Sequence, residues 1–165
     1  MNYSIRPIEA GDISFLWDML YESLYVPEGQ VPFSKEIIHD PFISKYVEGW
    51  GRDGDFGFIA IHEEGKPVGS ITARYFNESN KGFGFVDHDV PELGMAILED
   101  YRGIGIGSAL LNELFKEARM KNIGRISLSV DPNNEAAMRL YQRFCFEEVG
   151  KVDTSITMVA NVNII

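Results

Sequence analysis

Three glycines spaced two residues apart, Gly103, Gly105 and Gly107, lie between an apolar segment and an amphipathic one. The first turn of a helix carries unpaired N–H groups and the positive end of the helix dipole. Glycine lets an anion approach those groups without obstruction from a Cβ. Arg102 could add a positive charge at the loop entrance, and Ser108 could add a hydroxyl. The pattern favours a phosphate site, and a tight strand-to-helix turn without a ligand is the alternative.

Two common nucleotide-binding loops fit this segment poorly. A Walker-type loop requires Lys and then Ser or Thr after its last glycine, whereas Gly107 is followed by Ser108 and Ala109. A dinucleotide fingerprint would have a further glycine at position 108 and an acidic ribose ligand about 20 residues later. Residues 121–130 contain no acid. A nucleotide-binding protein is therefore a secondary hypothesis.

Titratable residues on both sides of the glycine loop could transfer protons. Glu92 begins an apolar segment, where it could act as a general base or could be an exposed carboxylate at a strand end. Tyr141 carries a titratable phenol, but it could also belong to the core, because it shares an apolar stripe with Ala137 and Phe144.

A second acid–base cluster and a lone cysteine have simpler explanations than catalysis. Asp87, His88 and Asp89 are explained more simply by a polar loop. No metal site is predicted there, because adjacent residues of an extended chain point in opposite directions. Cys145 is the only cysteine, which excludes an internal disulfide and a thiolate zinc site. With no histidine nearby in sequence, we expect Cys145 to be a buried small hydrophobe rather than a nucleophile.

Apolar periodicity predicts one α/β domain over residues 1–165, with elements in the order β-α-α-β-β-β-α-β-α-β-β. The strongest helix is predicted from Gly105 to Met120, because Ile106 and Leu110 begin a continuous apolar face. Strands are expected at residues 3–7, 58–62, 67–76, 93–98 and 126–130 and twice within 146–162. Helices are expected at about 13–24, 34–47, 105–120 and 134–144. Asp12 and Ser34 are the expected N-caps of the first two helices.

The charge balance restricts the class of partner. The chain has 15 Lys and Arg against 25 Asp and Glu, a net charge of −10. Such a field repels nucleic-acid backbones and anionic lipid headgroups, so we expect neither nucleic acid nor a membrane as a partner. It favours a cationic acceptor such as an amine, or serves solubility alone. The first six residues lack a basic stretch leading into an apolar segment, and no segment is apolar for the length of a bilayer, which predicts a cytoplasmic protein.

Two segments together resemble the GNAT family of N-acetyltransferases. Arg102, Gly105 and Gly107 match the family motif Arg/Gln-x-x-Gly-x-Gly/Ala, within a stretch from Leu93 to Ile106 that resembles its central strand and pyrophosphate loop. The segment from Asn134 to Tyr141 resembles its second cofactor motif. The predicted element order also agrees over nearly the full length. The resemblance implies a GNAT-like fold, a mixed and mostly antiparallel sheet flanked by helices.

The resemblance also implies the roles of individual residues toward acetyl-CoA as cosubstrate. The loop Arg102–Ser108 would wrap the pyrophosphate, and Met95–Leu98 would line the thioester and pantetheine arm, with one N–H polarising the acetyl carbonyl. Asn134 would bond the pantetheine amide, and Tyr141 would protonate the leaving thiolate. The implied cofactor-binding residues are Met95, Ala96, Ile97, Leu98, Arg102, Gly103, Ile104, Gly105, Ile106, Gly107, Ser108 and Asn134.

The activity implied by the resemblance is direct transfer of acetyl to a primary amine in a ternary complex. Glu92 would be the base, acting through water as in many relatives. A non-catalytic acyl-CoA-binding or regulatory module, in which Glu92 and Tyr141 are structural, is the alternative.

The resemblance places the acceptor wall along the first helix and the loop after it. Trp17 is expected in the core, whereas Tyr21, Tyr25 and Phe33 would meet the acceptor, a small molecule or peptide that the sequence does not name. Homodimers are common in the family. The chain departs from the family at Cys145, where a glycine is usual.

Overall fold

Seven strands and four α-helices make up the computed structural model, which describes residues 2–163. The strands are β1 (Tyr3–Pro7), β2 (Phe56–His62), β3 (Pro67–Arg74), β4 (Glu92–Ile97), β5 (Arg125–Val130), β6 (Glu147–Val152) and β7 (Ser155–Asn161). The helices are α1 (Ile13–Glu22), α2 (Pro41–Ser44), α3 (Ile106–Met120) and α4 (Glu135–Arg143), with 3₁₀ turns at Ala10–Asp12, Lys35–His39 and Glu99–Tyr101. The predicted order of strands and helices is confirmed.

All seven strands form one mixed sheet in the order β1-β2-β3-β4-β5-β7-β6. Neighbouring strands are antiparallel except β4 and β5, which run parallel. The predicted hairpin joins β2 to β3, and the His62 N–H donates to the Lys66 carbonyl across its turn at 2.8 Å. The expectation of a mostly antiparallel sheet flanked by helices is therefore confirmed.

The parallel strands β4 and β5 touch at one point and then separate. Their register contains the single pair Glu92 and Ser127, next to a hydrogen bond of 3.0 Å from the Ser127 N–H to the Pro91 carbonyl. Beyond this pair the two strands no longer bond to each other. The sheet therefore opens into a wedge at the carboxyl ends of β4 and β5.

Helices cover both faces of the sheet. Successive residues of a strand point to opposite faces, and β2 shows this division. Phe58 joins the main core with Leu110 and Leu114 of α3. Ile59 joins a second cluster with Leu16 of α1, against which Trp17 also packs. The helices α1 and α3 therefore lie on opposite faces of the sheet, with one end of each near the wedge.

The predicted second helix, residues 34–47, is wrong in its extent. The Lys35–His39 turn begins at Ser34, whose hydroxyl accepts from the Glu36 N–H at 3.3 Å, as an N-cap should. Asp40 then interrupts the helical path with φ −63° and ψ 125°. A residue before proline is sterically driven out of the α region, so Pro41 splits the segment and restarts it as α2.

Asp12 precedes α1 as predicted, but its carboxylate does not cap that helix. It accepts from the Arg6 guanidinium at 2.7 and 2.9 Å and from the Glu9 N–H at 2.7 Å. An ion pair with Arg6 competes with the cap because a charge-assisted bidentate contact is stronger than a single N–H bond.

Among residues 2–163, no helix combines the length and apolar character needed to span a bilayer.

Candidate active site

A cavity of about 1090 Å³ occupies the wedge between β4 and β5. Its walls come from β4, the loop before α3, the start of α4 and the segment that follows α1. Of the twelve residues expected to bind a cofactor, ten line it: Met95, Ala96, Ile97, Arg102, Gly103, Gly105, Ile106, Gly107, Ser108 and Asn134. The topology thus gathers residues that are distant in sequence into one site.

The glycine loop presents a row of free backbone donors to this cavity. Gly103 and Gly105 adopt φ of 77° and 94°, a left-handed conformation that favours glycine. Gly105 is the N-cap residue of α3, and its carbonyl accepts from the Ala109 N–H at 3.1 Å. Within residues 2–163, the N–H groups of residues 103–108 have no hydrogen-bond acceptor. This arrangement suits an anion, because the donors converge at the positive end of a helix.

Two further loop residues hold the donors in place. Arg102 anchors the loop to β4, since its Nε donates to the Ile97 carbonyl at 2.8 Å. Its guanidinium also lies 3.8 Å from Glu22 of α1. A Cβ at Gly107 would lie 3.0 Å from the Leu140 side chain of α4. Gly107 therefore serves the close packing of α3 and α4 as well as the loop.

The edge of β4 that faces the wedge offers unpaired backbone groups. The Leu98 N–H donates to the Val68 carbonyl on the β3 side at 2.8 Å, whereas the Pro91 carbonyl bonds toward β5. Backbone groups alternate in direction along a strand, so Met95 and Ile97 also face the β5 side. Because β5 has moved away there, the backbone groups of Met95 and the Ile97 N–H can pair with an extended ligand as a strand would, whereas the Ile97 carbonyl already accepts from Arg102.

Two of the residues expected to bind cofactor lie outside the cavity wall. Leu98 uses its N–H to pair with Val68, and Ile104 projects outward with 43% of its surface exposed. Neither lines the cavity.

Asn134 lies where the second motif places it, at the start of α4. Its side-chain oxygen accepts from the Ala137 N–H at 3.3 Å, which makes it the N-cap of the helix. The residue also lines the cavity. The cap occupies the oxygen of the carboxamide and leaves its NH₂ group available to a ligand.

Tyr141 is both a core residue and a cavity residue. It is 7% exposed, and its ring packs edge-on against Phe146 with centroids 5.5 Å apart. Burial raises the pKa of its phenol above the usual value of 10. In the described chain the hydroxyl has no hydrogen-bond partner, and the residue lines the cavity. A phenol that stays protonated at neutral pH is suited to donate a proton.

Glu92 is buried at the start of β4, so the interpretation of an exposed strand-end carboxylate is wrong. Its residue surface is 3% exposed, and Oε2 accepts from the Tyr46 hydroxyl at 2.5 Å. Burial raises the pKa of Glu92 to about 7, against the opposing effects of Tyr46, the Gly84 N–H and the Lys45 charge. A carboxyl that titrates near neutrality can both accept and release a proton.

Sequence reasoning missed the residues that surround Glu92 from outside β4. Tyr46, just after α2, and Phe83, in the long β3–β4 connection, both line the cavity. Tyr46 lies within a segment predicted as helix, where an aromatic residue indicates core packing. Phe83 lies in a polar stretch predicted as an irregular loop. No periodic signal marks either residue, because the fold alone brings them to Glu92.

The segment after α1 closes the cavity on its remaining side. Tyr21, Tyr25 and Phe33 all line the cavity, as expected for an acceptor wall. The Tyr21 hydroxyl donates to the Phe33 carbonyl at 2.5 Å. The Tyr25 hydroxyl donates to the Asn133 carbonyl at 3.1 Å, which links this segment to the loop before α4.

Comparison with known proteins identifies the family to which this fold and site belong. The model of the acetyltransferase (GNAT) family matches residues 16–146. The chain belongs to the GNAT family. It is 31% identical over 112 residues to an uncharacterized N-acetyltransferase of Methanocaldococcus jannaschii, covering 67% of this chain and 47% of that protein. It is 32% identical over 100 residues to a spermine/spermidine N(1)-acetyltransferase of Bacillus subtilis, covering 58% and 62%. The chain thus spans about half to three fifths of these relatives.

Solved GNAT structures share the fold over nearly the whole chain. An N-acetyltransferase from Staphylococcus aureus superimposes with a TM-score of 0.70 at 19% identity, covering 98% of this chain and 99% of that one. A phosphinothricin acetyltransferase from Sinorhizobium meliloti, solved in complex with AcCoA, gives 0.68 at 19% identity, covering 98% and 89%. At these identities the likeness confirms the GNAT fold.

The expectation that Cys145 is buried is wrong, and its backbone conformation explains why the GNAT pattern usually has glycine at this position. Cys145 is exposed and adopts φ 66°, a left-handed conformation. Its N–H donates to the Gln142 carbonyl at 3.0 Å, and the Phe146 N–H donates to the Tyr141 carbonyl at 3.0 Å. These two bonds form a Schellman motif, in which the left-handed position favours glycine.

The expectation that Asp87, His88 and Asp89 point apart in an extended chain is also wrong. A turn closed by the Val90 N–H and the Asp87 carbonyl, at 3.1 Å, folds the segment back. One ligand atom from each of the three residues lies within 4.8 Å of the others. All three are exposed, and none of them lines the cavity. The absence of a metal stays a prediction.

Proposed function

We propose that this protein is an N-acetyltransferase that moves the acetyl group of acetyl-CoA directly to a primary amine. The observation that supports this most is that Glu92, Tyr141 and five residues of the donor-rich loop, Gly103 and 105–108, line one cavity. A general base, a general acid and an anion site are the three functions that the reaction requires. The AcCoA-bound neighbour of the same fold supports acetyl-CoA as the cosubstrate.

Acetyl-CoA fits the polar groups of the wedge. The N–H groups of residues 103–108 would bind its pyrophosphate, which removes the cost of leaving those donors unpaired. The pantetheine arm would run along β4 and pair with Met95 and Ile97, while the Asn134 NH₂ would donate to one of its amide carbonyls. The thioester supplies an activated acetyl carbon, and a free N–H of β4 would polarise its carbonyl.

The proton transfers follow from the states of Glu92 and Tyr141. Glu92, with its pKa near 7, would take a proton from the acceptor ammonium, directly or through water. The neutral amine would attack the acetyl carbon, form the amide bond and expel the thiolate. Tyr141, kept protonated by burial, would give its proton to the sulfur, and the second proton lost from the nitrogen as the amide forms would return through water to the Tyr141 phenolate. At neutral pH Glu92 is partly ionised and Tyr141 is protonated, which are the states that these two steps require.

The acceptor is a primary amine whose scaffold the relatives only suggest. The Bacillus subtilis relative is a spermine/spermidine N(1)-acetyltransferase, and a Sulfolobus acidocaldarius relative, 27% identical over 157 residues, is an N-alpha-acetyltransferase. Small polyamines and peptide N-termini are therefore the first acceptors to test.

Thiol release from acetyl-CoA tests the proposed function directly. The panel contains spermidine, spermine, phosphinothricin and a peptide with a free N-terminal alanine. We expect release above the acceptor-free rate with at least one amine, and a fall in kcat of about 10²-fold or more in both Glu92→Gln and Tyr141→Phe. Calorimetric titration with CoA should give similar affinities for all three proteins, since neither side chain is among the loop donors that would bind the pyrophosphate.

Two outcomes would contradict the proposal. Full activity in Glu92→Gln and Tyr141→Phe would remove both residues from the chemistry. CoA binding without acetylation of any amine across a widened panel would instead indicate a non-catalytic acyl-CoA-binding module.

A further inference from the structure

The Tyr46 hydroxyl occupies a fixed position between two partners. It accepts from the Phe83 N–H at 2.7 Å and lies 2.5 Å from Glu92 Oε2. Because Phe83 fills an acceptor site on the hydroxyl oxygen, the hydroxyl hydrogen is directed to Glu92. The Tyr46 ring is itself held edge-on against Phe76, with centroids 5.1 Å apart. The carboxylate therefore meets a rigid donor rather than a rotating one.

Glycines in the β3–β4 connection make room for this arrangement. A Cβ at Gly82 would overlap Glu92 Oε1 and would lie 2.8 Å from the Tyr46 hydroxyl oxygen. A Cβ at Gly84 would lie 2.5 Å from the Leu128 backbone of β5. The connection is thus pressed against both the carboxyl and the sheet. A side chain at position 84 would clash with the backbone of the sheet, and one at position 82 would displace the Glu92 carboxyl or the Tyr46 hydroxyl.

The two oxygens of Glu92 consequently have different roles. Oε2 is held by Tyr46, whereas Oε1 is buried and has no hydrogen-bond partner among residues 2–163. The Gly84 N–H favours the charged form of the carboxyl without completing a hydrogen bond to Oε1. An unpartnered buried carboxylate oxygen is costly for stability. Oε1 is also packed against Gly82 and is closed off from solvent.

We propose that Tyr46 is a positioning residue, which fixes the orientation of the Glu92 carboxyl through Oε2. This inference rests on the proposed role of Glu92 as the general base. Tyr46 does not itself exchange a proton with the substrate. Its burial and the adjacent Glu92 charge raise the pKa of its phenol well above 10, so it remains a donor throughout the working pH range.

The hydrogen bond from Tyr46 should lower the pKa of Glu92, because it stabilises the charged form. The other charged groups near Glu92 do not depend on this hydroxyl. Lys45 lies beside it after α2, and Arg74, its register partner on β3, is bonded to Asp55 at 2.8 Å. Removing the hydroxyl while keeping the ring therefore leaves burial and these charges in place. The pKa of Glu92 should then rise.

NMR titration of the protein labelled with ¹³C at glutamate carboxyls tests this without an acceptor. The Glu92 signal is assigned by its loss in Glu92→Gln. We expect an apparent pKa near 7 in the wild type and a value about one to two pH units higher in Tyr46→Phe. Tyr3→Phe, on the edge strand β1, is the matched control and should leave the Glu92 titration unchanged. An unshifted titration in a folded Tyr46→Phe protein would overturn the proposal.

A second variant approaches the same carboxyl from its other side. Gly82→Ala places a methyl group against Oε1 and the Tyr46 hydroxyl, so we expect it to shift the Glu92 titration as well. With the active amine of the panel, Tyr46→Phe should move the acid limb of the kcat/KM profile upward by the same one to two pH units. Activity at pH 7 should then fall about tenfold and recover toward pH 9.

These measurements separate the inference from the proposed function. If Glu92→Gln keeps full activity, the role of Glu92 as base is wrong, whatever Tyr46 does. If Glu92→Gln is inactive but Tyr46→Phe changes neither the NMR titration nor the pH–rate profile, only the positioning role is wrong.

Discussion

Glu92 illustrates, at the scale of one residue, the opposition between stability and chemistry. Its carboxyl has an ordinary pKa of 4.5 and a pKa of about 7 in the fold. Between these values the folded state binds more protons than the unfolded state. Stability from this group is therefore largest below about pH 4.5 and is lost as the pH rises through about 7. A buried carboxyl that is ionised near neutral pH is therefore destabilising at that pH.

Glu92→Gln should accordingly stabilise the protein where the wild type carries the charge. The amide keeps the shape of the carboxyl but no longer has to be ionised in a buried site. We expect a gain in the free energy of unfolding of about 2–3 kcal/mol at pH 8 and almost none at pH 4.5. Urea unfolding at both pH values measures it.

Glu64→Gln, in the exposed β2–β3 turn, is the control for this pH dependence. This substitution also replaces a carboxyl by an amide, but it does not remove a buried charge. Its free energy of unfolding should therefore equal that of the wild type at both pH values. A Glu92→Gln protein less stable than wild type at pH 8 would contradict a raised pKa for the Glu92 carboxyl.

Residues could be predicted from the sequence where a local motif defines them. Arg102, Gly105 and Asn134 lie in short patterns whose spacing follows from helix starts, and each lies at the cavity. Tyr46 reaches Glu92 across 46 positions of sequence. No feature of the sequence around Tyr46 indicates that contact. The residues of these local motifs could therefore be placed from the sequence, whereas the contact between Tyr46 and the Glu92 carboxyl could not.

At the scale of elements, both α3 and α4 end in the same motif but with different residues. Asn122 after α3 has φ 60° and Cys145 after α4 has φ 66°. In each case the next N–H bonds back to the helix, from Ile123 to the Ala118 carbonyl and from Phe146 to the Tyr141 carbonyl. Asparagine tolerates the left-handed region, whereas cysteine has no such preference.

Cys145→Gly should therefore stabilise the protein. The strain of a Cβ in this conformation costs roughly 1–2 kcal/mol, and the greater freedom of glycine in the unfolded chain offsets part of that. We expect a net gain of about 0.5–1 kcal/mol in denaturant unfolding. Asn122→Gly, at the equivalent position after α3, should gain less. Equal gains at both positions would show that side-chain type does not matter there.

Elements were predicted well where periodicity is strong and poorly where one residue overrides it. The long apolar face of α3 predicted the first residue of this helix to within one position. The segment before Tyr46 has enough apolar spacing to resemble a helix, yet Pro41 divides it. Asp12 begins α1 as expected, but Arg6 draws its carboxylate away. A proline and an ion pair thus account for these two errors.

At the scale of the whole molecule, the sheet consists of two halves that meet at a single registered pair. Strands β1–β4 form one half and β5–β7 the other, joined at Glu92 and Ser127. The topology could be predicted only through the family resemblance, because no local sequence pattern indicates that two strands separate. The wedge is where the cavity lies, so a ligand that fills it contacts both halves.

CoA should therefore stabilise the whole fold, and the loop before α3 should control that effect. At a concentration of 100 times its Kd, CoA should raise the free energy of unfolding by about 2.7 kcal/mol, and ATP or NAD at the same concentration should raise it less. Gly105→Ala forces a side chain into φ 94° at the head of α3, which should disturb the free N–H groups and reduce the CoA effect.

Gly65→Ala is the matched control, because Gly65 has φ 89° and a Cβ there would also meet nothing within 4 Å. Both variants impose about 1 kcal/mol of strain, but only Gly105 belongs to the cavity. Thermal unfolding with and without CoA should show equal losses in the free proteins and a smaller CoA-induced shift in Gly105→Ala alone. If CoA raised the unfolding temperature of both variants equally, or if ATP raised it more than CoA did, the loop would not bind the pyrophosphate of CoA.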